Sequence, residues 1–162
     1  MFRIAIYFSL LTIFCSFTWM QPRNHNTLIT VGGGHLYGGP RHTSGILQFE
    51  YKFATRFWKY LRPQATLAFP QLKGVFFGAG IGVDCYLTRH LVFTPSFEPG
   101  FYSKGKSRDL GFPIQFRSSV ELALEKCNGA RVGTQFYHIS NASLGHRNPG
   151  INAWVFFVGF PL

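Results

Sequence analysis

The sequence predicts an all-β protein, an eight-stranded antiparallel transmembrane β-barrel preceded by a signal peptide. The chain has 162 residues, the length of one domain, and alternation of bulky apolar with small or polar residues is its dominant pattern. Only 14% of the residues are charged, against about 25% in a typical globular domain. No stretch beyond the N-terminus is apolar for the roughly 20 residues that a transmembrane helix requires. We therefore assign the apolar composition to strands.

The N-terminus has the pattern of a secretory signal peptide. Met1-Phe2-Arg3 supplies an early positive charge, an apolar run extends from Ile4 to Met20, and polar sequence begins at Gln21. We predict a signal peptide over residues 1–20 and a barrel over residues 21–162. The cleavage site is placed loosely, since the sequence has no A-x-A pattern. An uncleaved membrane anchor is the alternative interpretation.

Eight segments of strand length follow, each with a period of two. They are Thr27–His35, Gly45–Phe53, Leu61–Phe69, Gly74–Tyr86, Leu91–Tyr102, Phe112–Glu125, Ala130–Asn141 and Ile151–Leu162. Several are close to the 9–11 residues with which a strand crosses a bilayer. No amphipathic helix competes with these strands, except for a weak helical pattern at Ala54–Tyr60. An even number of strands behind a signal peptide is typical of outer-membrane barrels.

The two faces of these strands differ in a way that favours a membrane barrel over a soluble sandwich. One face is bulky and aromatic, as Phe97 and its alternate neighbours illustrate. The other face is small or singly charged, and it includes Glu50, Asp84, Arg117 and Glu121. Glycines and single charges suit the narrow interior of a small barrel, whereas a sandwich core would use more valine and isoleucine. The apolar face is therefore predicted to point to lipid.

The predicted topology follows from a periplasmic N-terminus, which makes the first strand run outward. Short turns at Thr88-Arg89-His90 and Lys126-Cys127-Asn128-Gly129 then lie on the periplasmic side, where the Asn-Gly pair suits a tight turn. The outer loops are predicted near His35–Ser44, Pro70–Lys73, Ser103–Leu110 and Asn141–Gly150.

Basic side chains are concentrated in these outer loops, and the whole chain has a net charge of +10. They include Arg41, Lys104, Lys106 and Arg147, with Asp109 as the only acid in the predicted loops. Such a surface favours an anionic partner. Secretion argues against nucleic acid, so we expect contacts with the phosphates of lipopolysaccharide in the outer leaflet. Ordinary solubilising charge is the alternative.

Two cysteines, Cys85 and Cys127, follow the signal sequence. They are too few for a disulfide framework, and they lack the spacing of metal ligands. Both are predicted near the periplasmic rim, and the sequence leaves open whether they form one bridge. It also leaves a homodimer open.

The seventh segment carries the residues with catalytic potential. His138 and Ser140 are two positions apart, so they share one strand face, with Cα atoms roughly 6.5–7 Å apart. Phe136 shares that face, so the pair is predicted to lie on the barrel exterior near its outer rim. There the histidine could take the serine proton, and the serine could attack the acyl ester of a lipid. Asn152 has the same outward register on the eighth segment and is the candidate to hold the imidazole from its far side.

The stretch His138-Ile139-Ser140-Asn141-Ala142, followed by Asn148-Pro149-Gly150-Ile151, resembles the signature of the outer-membrane lipid A 3-O-deacylases, the PagL type or acyloxyacyl hydrolases. The resemblance is sharpest over Gly129–Leu162. It implies an eight-stranded barrel of the bacterial outer membrane that hydrolyses the ester-linked acyl chain at position 3 of lipid A. It also implies that the reaction uses no metal and no cofactor.

Carried over by position, the resemblance implies that His138 is the base and Ser140 the nucleophile. Groups of Asn141, Ala142 and Ser143 would then hold the oxyanion, through their backbone N–H groups and the Asn141 amide.

Two positions depart from the pattern of the family that the sequence resembles. The family's third catalytic residue is a glutamate, where this chain has Asn152, and Ser143 stands where glycine is common. An asparagine can orient an imidazole by a hydrogen bond, but it cannot stabilise the imidazolium by charge. The resemblance therefore implies a slower enzyme.

Two other functions remain open from the sequence. One is a non-enzymatic small barrel for lipopolysaccharide binding or adhesion, with its catalytic set degraded at Asn152. The other is an acyltransferase barrel that uses a phospholipid donor at a similar acyl site.

Overall fold

The computed structural model describes residues 26–38, 43–54, 61–70 and 73–162. The predicted signal peptide, Arg41 and residues 55–60 of the candidate helix lie outside these ranges. Within the ranges, no helix is long and apolar enough to cross a membrane.

The described residues form nine β-strands in one antiparallel sheet. They are β1 (Leu28–Tyr37), β2 (Thr43–Lys52), β3 (Leu61–Pro70), β4 (Val75–Val83), β5 (Cys85–Tyr86), β6 (Leu91–Ser103), β7 (Ile114–Glu125), β8 (Arg131–Ser140) and β9 (Ile151–Pro161). Because β5 continues the line of β4 along β6, the nine strands occupy eight positions around the sheet. β1 pairs with β9 from Leu28↔Pro161 to Tyr37↔Asn152, which closes the sheet. The predicted eight-stranded barrel is confirmed.

The fourth predicted strand differs from expectation, because the structure divides Gly74–Tyr86 at Asp84. The pairing of β4 and β5 with β6 is interrupted opposite Pro95 and Pro99. A proline has no N–H to donate to the ladder, so the strand assignment breaks although the register continues.

The middle of the barrel interior is filled by a network of charged side chains. Four basic and five acidic residues are buried there: Lys52, Arg62, Arg117, Arg131, Glu50, Asp84, Glu98, Glu121 and Glu125. Arg117 lies 2.8 Å from a Glu50 oxygen and 2.6 Å from a Glu98 oxygen. Its guanidinium also lies 4.2 Å from the centre of the Tyr137 ring. The predicted inward face is therefore confirmed.

The outward face is apolar and exposed around the barrel. Phe156 and Phe101 are 68% and 65% exposed, and Leu124 is 56% exposed. Large apolar surfaces of this extent require an apolar environment. The predicted lipid-facing polarity of the strands is confirmed.

The two ends of the barrel differ. Long connections β6–β7 and β8–β9 lie at one end, which we call the outer end, together with the β1–β2 and β3–β4 connections. At the opposite end, the turn after β7 has a Gly129 N–H to Lys126 carbonyl bond of 2.9 Å and a φ of +88° at Gly129. Under the outer loops the interior becomes apolar, with a buried cluster that includes Tyr137, Ile139 and Ile151. This cluster forms a firm backing for the outer part of the β8–β9 wall.

Candidate active site

The central feature of the site is a hydrogen bond between two lipid-facing side chains on neighbouring strands. His138 on β8 and Asn152 on β9 are direct partners in the strand register. His138 Nδ1 lies 2.8 Å from Asn152 Oδ1, and both residues are exposed on the outer surface of the barrel. An amide oxygen can only accept, so Nδ1 is the donor, and in the neutral imidazole this leaves the lone pair on Nε2. This is the protonation pattern that a general base requires.

Ser140 occupies the next outward position on β8, one step nearer to the outer rim. It is partly exposed and lies opposite Phe116 of β7. Among the described residues, no hydrogen bond joins its hydroxyl to the imidazole. Such bonds are often long in enzymes without substrate and tighten when substrate binds. The structure thus brings His138 and Asn152 into contact and puts Ser140 on the same face.

The β8–β9 hairpin holds these side chains on a rigid wall. Ile139 and Ile151, the residues between the outward ones, pair with each other and are 0% and 1% exposed. Their inward side chains belong to the apolar cluster under the outer loops. Side chains on packed strands are positioned more tightly than side chains on loops.

Asn141 organises the outer loops, and its side chain is fully used for that purpose. Its Nδ2 donates to the Leu110 carbonyl at 2.9 Å and to the Arg147 carbonyl at 2.7 Å. Its Oδ1 accepts the Ser143 N–H at 2.9 Å, and its own N–H donates to Asn148 Oδ1 at 3.1 Å. The Asn141 amide and the backbone N–H groups of Asn141 and Ser143 are therefore all engaged in hydrogen bonds within the outer loops.

Ala142 and Ser143 form a tight turn with an unusual backbone. Their φ angles are +50° and +66°, and the Leu144 N–H donates to the Asn141 carbonyl at 2.9 Å. Positive φ is unfavourable for residues with a Cβ, so glycine would adopt this turn with less strain than Ser143 does. Within the described part of the chain, the Ala142 N–H has no hydrogen-bond partner. Of the three expected oxyanion residues, Ala142 alone keeps a backbone N–H available.

The backbone of Gly150 packs directly against the His138 imidazole. The sequence analysis did not predict this role. Its φ is +55°, and a Cβ at this position would lie 2.8 Å from Cε1 and 3.2 Å from Nε2 of His138. Only glycine tolerates both the conformation and the contact. Asn148, through its bond to the Asn141 N–H, was missed as well. The signal for both residues was their place in the Asn-Pro-Gly motif.

Two of the expected phosphate-binding side chains form ion pairs with Asp109 at the outer end of the barrel. It lies 2.9 Å from Lys104 Nζ and 4.0 Å from an Arg147 guanidinium nitrogen. The hydrogen bond from Lys104 lowers the pKa of Asp109 below its ordinary value. Lys106 is exposed in the same β6–β7 loop, and Arg41 lies outside the described residues.

The two described cysteines lie at the opposite end of the barrel from this site. No disulfide joins Cys85, which is buried, to Cys127, which is exposed. Among the described residues, no group of three or more His, Cys, Asp or Glu side chains could hold a metal ion.

Comparisons with solved structures find the same fold. "Crystal structure of the outer membrane enzyme PagL" matches with a TM-score of 0.63 and 17% identity, over 83% of this chain and 99% of that chain. A structure from "De novo design of transmembrane beta-barrels" matches with a TM-score of 0.63 and 9% identity, over 88% of this chain and 100% of that chain. At such identities these likenesses show the fold alone.

The comparison with family models shows the family. The model described as "Lipid A 3-O-deacylase (PagL)" matches residues 15–161. No curated protein matches the chain significantly. The family match covers nearly the whole sequence, including the strands that carry His138 and Asn152. The protein is therefore an outer-membrane β-barrel that belongs to the PagL family of lipid A 3-O-deacylases.

Proposed function

We propose that this protein hydrolyses the ester-linked acyl chain at position 3 of lipid A in the outer leaflet, by a serine–histidine mechanism. The observation that carries the proposal is the 2.8 Å hydrogen bond between His138 and Asn152, on the lipid-facing surface that also bears Ser140. A histidine base on the same outer surface as a serine hydroxyl can act on an ester whose acyl chain lies in the bilayer, because that surface faces the lipid. The identity of the lipid comes from the family.

In the proposed reaction, Ser140 Oγ attacks the ester carbonyl carbon while His138 Nε2 takes the hydroxyl proton. The carbonyl oxygen becomes an oxyanion, and the Ala142 N–H, which is not engaged elsewhere in the described chain, is proposed to stabilise it. The imidazolium then gives its proton to the 3-oxygen of the sugar as the bond between that oxygen and the acyl carbon breaks. Water, deprotonated by His138, attacks the acyl-serine, which releases the fatty acid and restores the hydroxyl of Ser140.

Asn152 is proposed to position the imidazole without adding charge. In serine proteases, the amide that replaces the buried acid lowers the rate by about 10⁴, because it favours the wrong tautomer of the histidine. In this protein the Asn152 oxygen faces Nδ1, which favours the productive tautomer. The missing carboxylate charge still leaves the imidazolium less stabilised than a glutamate would.

The basic outer loops are proposed to hold the phosphates of lipid A. Lys104 and Arg147 already converge on the Asp109 carboxylate, which is the kind of arrangement that a phosphate could occupy in its place. Exposed ion pairs are weak, so this exchange is not strongly opposed. Lys106, and Arg41 in the β1–β2 connection, would add positive charge around the same headgroup.

The test is mass spectrometry of lipid A from cells that produce the wild-type protein, Ser140→Ala or Asn152→Glu. We expect the wild type to remove one 3-O-linked hydroxyacyl chain, Ser140→Ala to remove none, and Asn152→Glu to react faster because it restores the charge that stabilises the imidazolium. Ser103→Ala, which changes an exposed serine at the outer end of β6, is the matched control and should behave as wild type.

Each contrary result has a defined meaning. Unchanged lipid A with wild-type protein would support the non-enzymatic barrel, and a gained acyl chain would support an acyltransferase. Deacylation by Ser140→Ala would show that Ser140 is not the nucleophile.

A further inference from the structure

We propose that the end of the barrel opposite the outer loops binds the headgroup of an anionic phospholipid, through Arg89 and Lys126. We call these two residues the basic rim. They lie in the β5–β6 and β7–β8 turns, at the far end of the strands from Ser140 and Asn152. The inference therefore does not depend on the proposed deacylase activity.

The two turns are bonded to each other. The Glu125 N–H donates to the His90 carbonyl at 2.7 Å, and His90 Nδ1 lies 3.0 Å from the Glu125 carbonyl oxygen. These contacts extend the antiparallel register of β6 and β7 by one residue. Arg89 and Lys126 are the next residues along the two turns, and both are exposed. The fold thus holds two positive side chains in neighbouring turns.

No acidic side chain balances these two charges. Of the six acidic residues in the sequence, Asp109 lies at the outer end and the other five are buried inside the barrel. The nearest of them in the chain, Glu125, accepts a hydrogen bond from Arg131 at 2.9 Å. Within the described part of the chain, Arg89 and Lys126 have no ion pair. Like charges on neighbouring residues repel, and an anion between them would relieve the repulsion.

Apolar side chains border the basic rim on the lipid-facing surface. Leu124 precedes Lys126 by two residues and is 56% exposed, and its register partner on β8, Val132, is 48% exposed. Leu87, two residues before Arg89, is 37% exposed. Positive charge at the boundary of an apolar surface matches a phospholipid, in which a charged headgroup adjoins hydrocarbon chains.

The direction of the barrel in the membrane determines which lipid the basic rim meets. With the outer loops at the leaflet that contains lipid A, the basic rim lies among the phospholipids of the opposite leaflet. A headgroup with a net negative charge, that of phosphatidylglycerol, is attracted by both side chains, whereas the ammonium group of phosphatidylcholine opposes them. Each Lys or Arg at a membrane surface raises the affinity for anionic lipid about fivefold.

The experiment photolabels the purified barrel in phosphatidylcholine nanodiscs that contain a trace of photoreactive phosphatidylglycerol or photoreactive phosphatidylcholine. The two probes carry the same diazirine-bearing acyl chain and differ only in the headgroup. Mass spectrometry of peptides locates the label. In the wild type, we expect phosphatidylglycerol to label the peptides of the two turns about 20-fold more strongly than phosphatidylcholine does.

Substitutions at the basic rim should remove this preference. Arg89→Gln combined with Lys126→Gln should abolish it, and each single substitution should lower it about fivefold. Lys73→Gln combined with Arg108→Gln removes the same charge from the outer end, and this matched control should keep the wild-type preference at the two turns. Heat-dependent migration on gels verifies that each variant is folded.

Equal labelling of the turn peptides by the two probes in the wild type would overturn the proposal, and so would an unchanged preference in the basic-rim double variant. A preference that falls as far in the outer-end control would also overturn it, because net charge rather than a local site would then attract the lipid. Loss of the preference in the basic-rim variants alone supports the phospholipid site.

Discussion

The absence of a side chain at Gly150 determines where the His138 imidazole can lie. The backbone has a φ of +55°, and a Cβ would come within 2.8 Å of His138 Cε1. We expect Gly150→Ala to displace the imidazole from Asn152 and Ser140, with a fall in hydrolysis rate of about 10- to 100-fold, because misplacement by about 1 Å has effects of this size. Rates with p-nitrophenyl esters would measure the fall.

A second glycine supplies the control for this prediction. At Gly45 on β2, a Cβ would meet nothing within 4 Å, so Gly45→Ala should leave the rate unchanged. Equal rates for Gly150→Ala and Gly45→Ala would show that the contact with His138 does not position the base.

At the scale of elements, the β6–β7 and β8–β9 loops act as one unit above the site. Asn141 joins them through the Leu110 and Arg147 carbonyls, and Gly111 lets them approach, since a Cβ there would lie 2.3 Å from the Arg147 carbonyl oxygen. The same Asn141 side chain accepts the Ser143 N–H at Oδ1, a bond that holds the turn at Ala142 and Ser143 in its unfavourable conformation. Strained turns persist where the surroundings fix them, often at functional sites.

We expect Asn141→Ala to separate the two loops and to lower hydrolysis by about tenfold or more, because the Ala142 N–H loses its fixed direction. Hydrogen exchange should become faster in both loops. Asn141→Asp should be no better, since a carboxylate oxygen would face two carbonyls in place of the amide donor. Asn128→Ala, which removes an asparagine from the turn at the opposite end, is the control. Unchanged exchange in the β6–β7 loop would contradict the positioning role of Asn141.

The difference between predicted and unpredicted features follows from the range of the interactions. The outward register of His138, Ser140 and Asn152 follows from the period of two within a hairpin, so alternation in the sequence was enough to predict it. The role of Asn141 depends on the carbonyl of Leu110, 31 residues away in another loop. No local pattern encodes such a contact. The break at Asp84 also depends on prolines of a different strand.

At the scale of the whole molecule, the chain inverts the usual distribution of polarity. Of the six acidic residues in the sequence, the five other than Asp109 are buried inside the barrel with four basic partners. Lys52 is bonded to Glu121, and Arg131 lies 2.8 Å from both Asp84 and Glu125. Together with the Arg117 ion pairs, these contacts link β2, β6, β7, β8 and Asp84 across the interior, behind the strand that carries His138.

Arg117 is the residue on which this network depends most, because it bonds Glu50, Glu98, Thr66 and Gln135 and has no exposed surface. We expect Arg117→Ala to lower the free energy of unfolding by about 3–5 kcal/mol, since it leaves buried carboxylates uncompensated. Urea unfolding of the barrel in detergent would measure this. Arg89→Ala, at an exposed turn, should change the free energy of unfolding by less than about 0.5 kcal/mol.

Arg117→Met combined with Glu50→Gln and Glu98→Gln should recover most of the stability lost in Arg117→Ala, because no charge is then left unpaired. A triple variant as unstable as Arg117→Ala would show that the shape of the arginine, rather than its charge, stabilises the barrel.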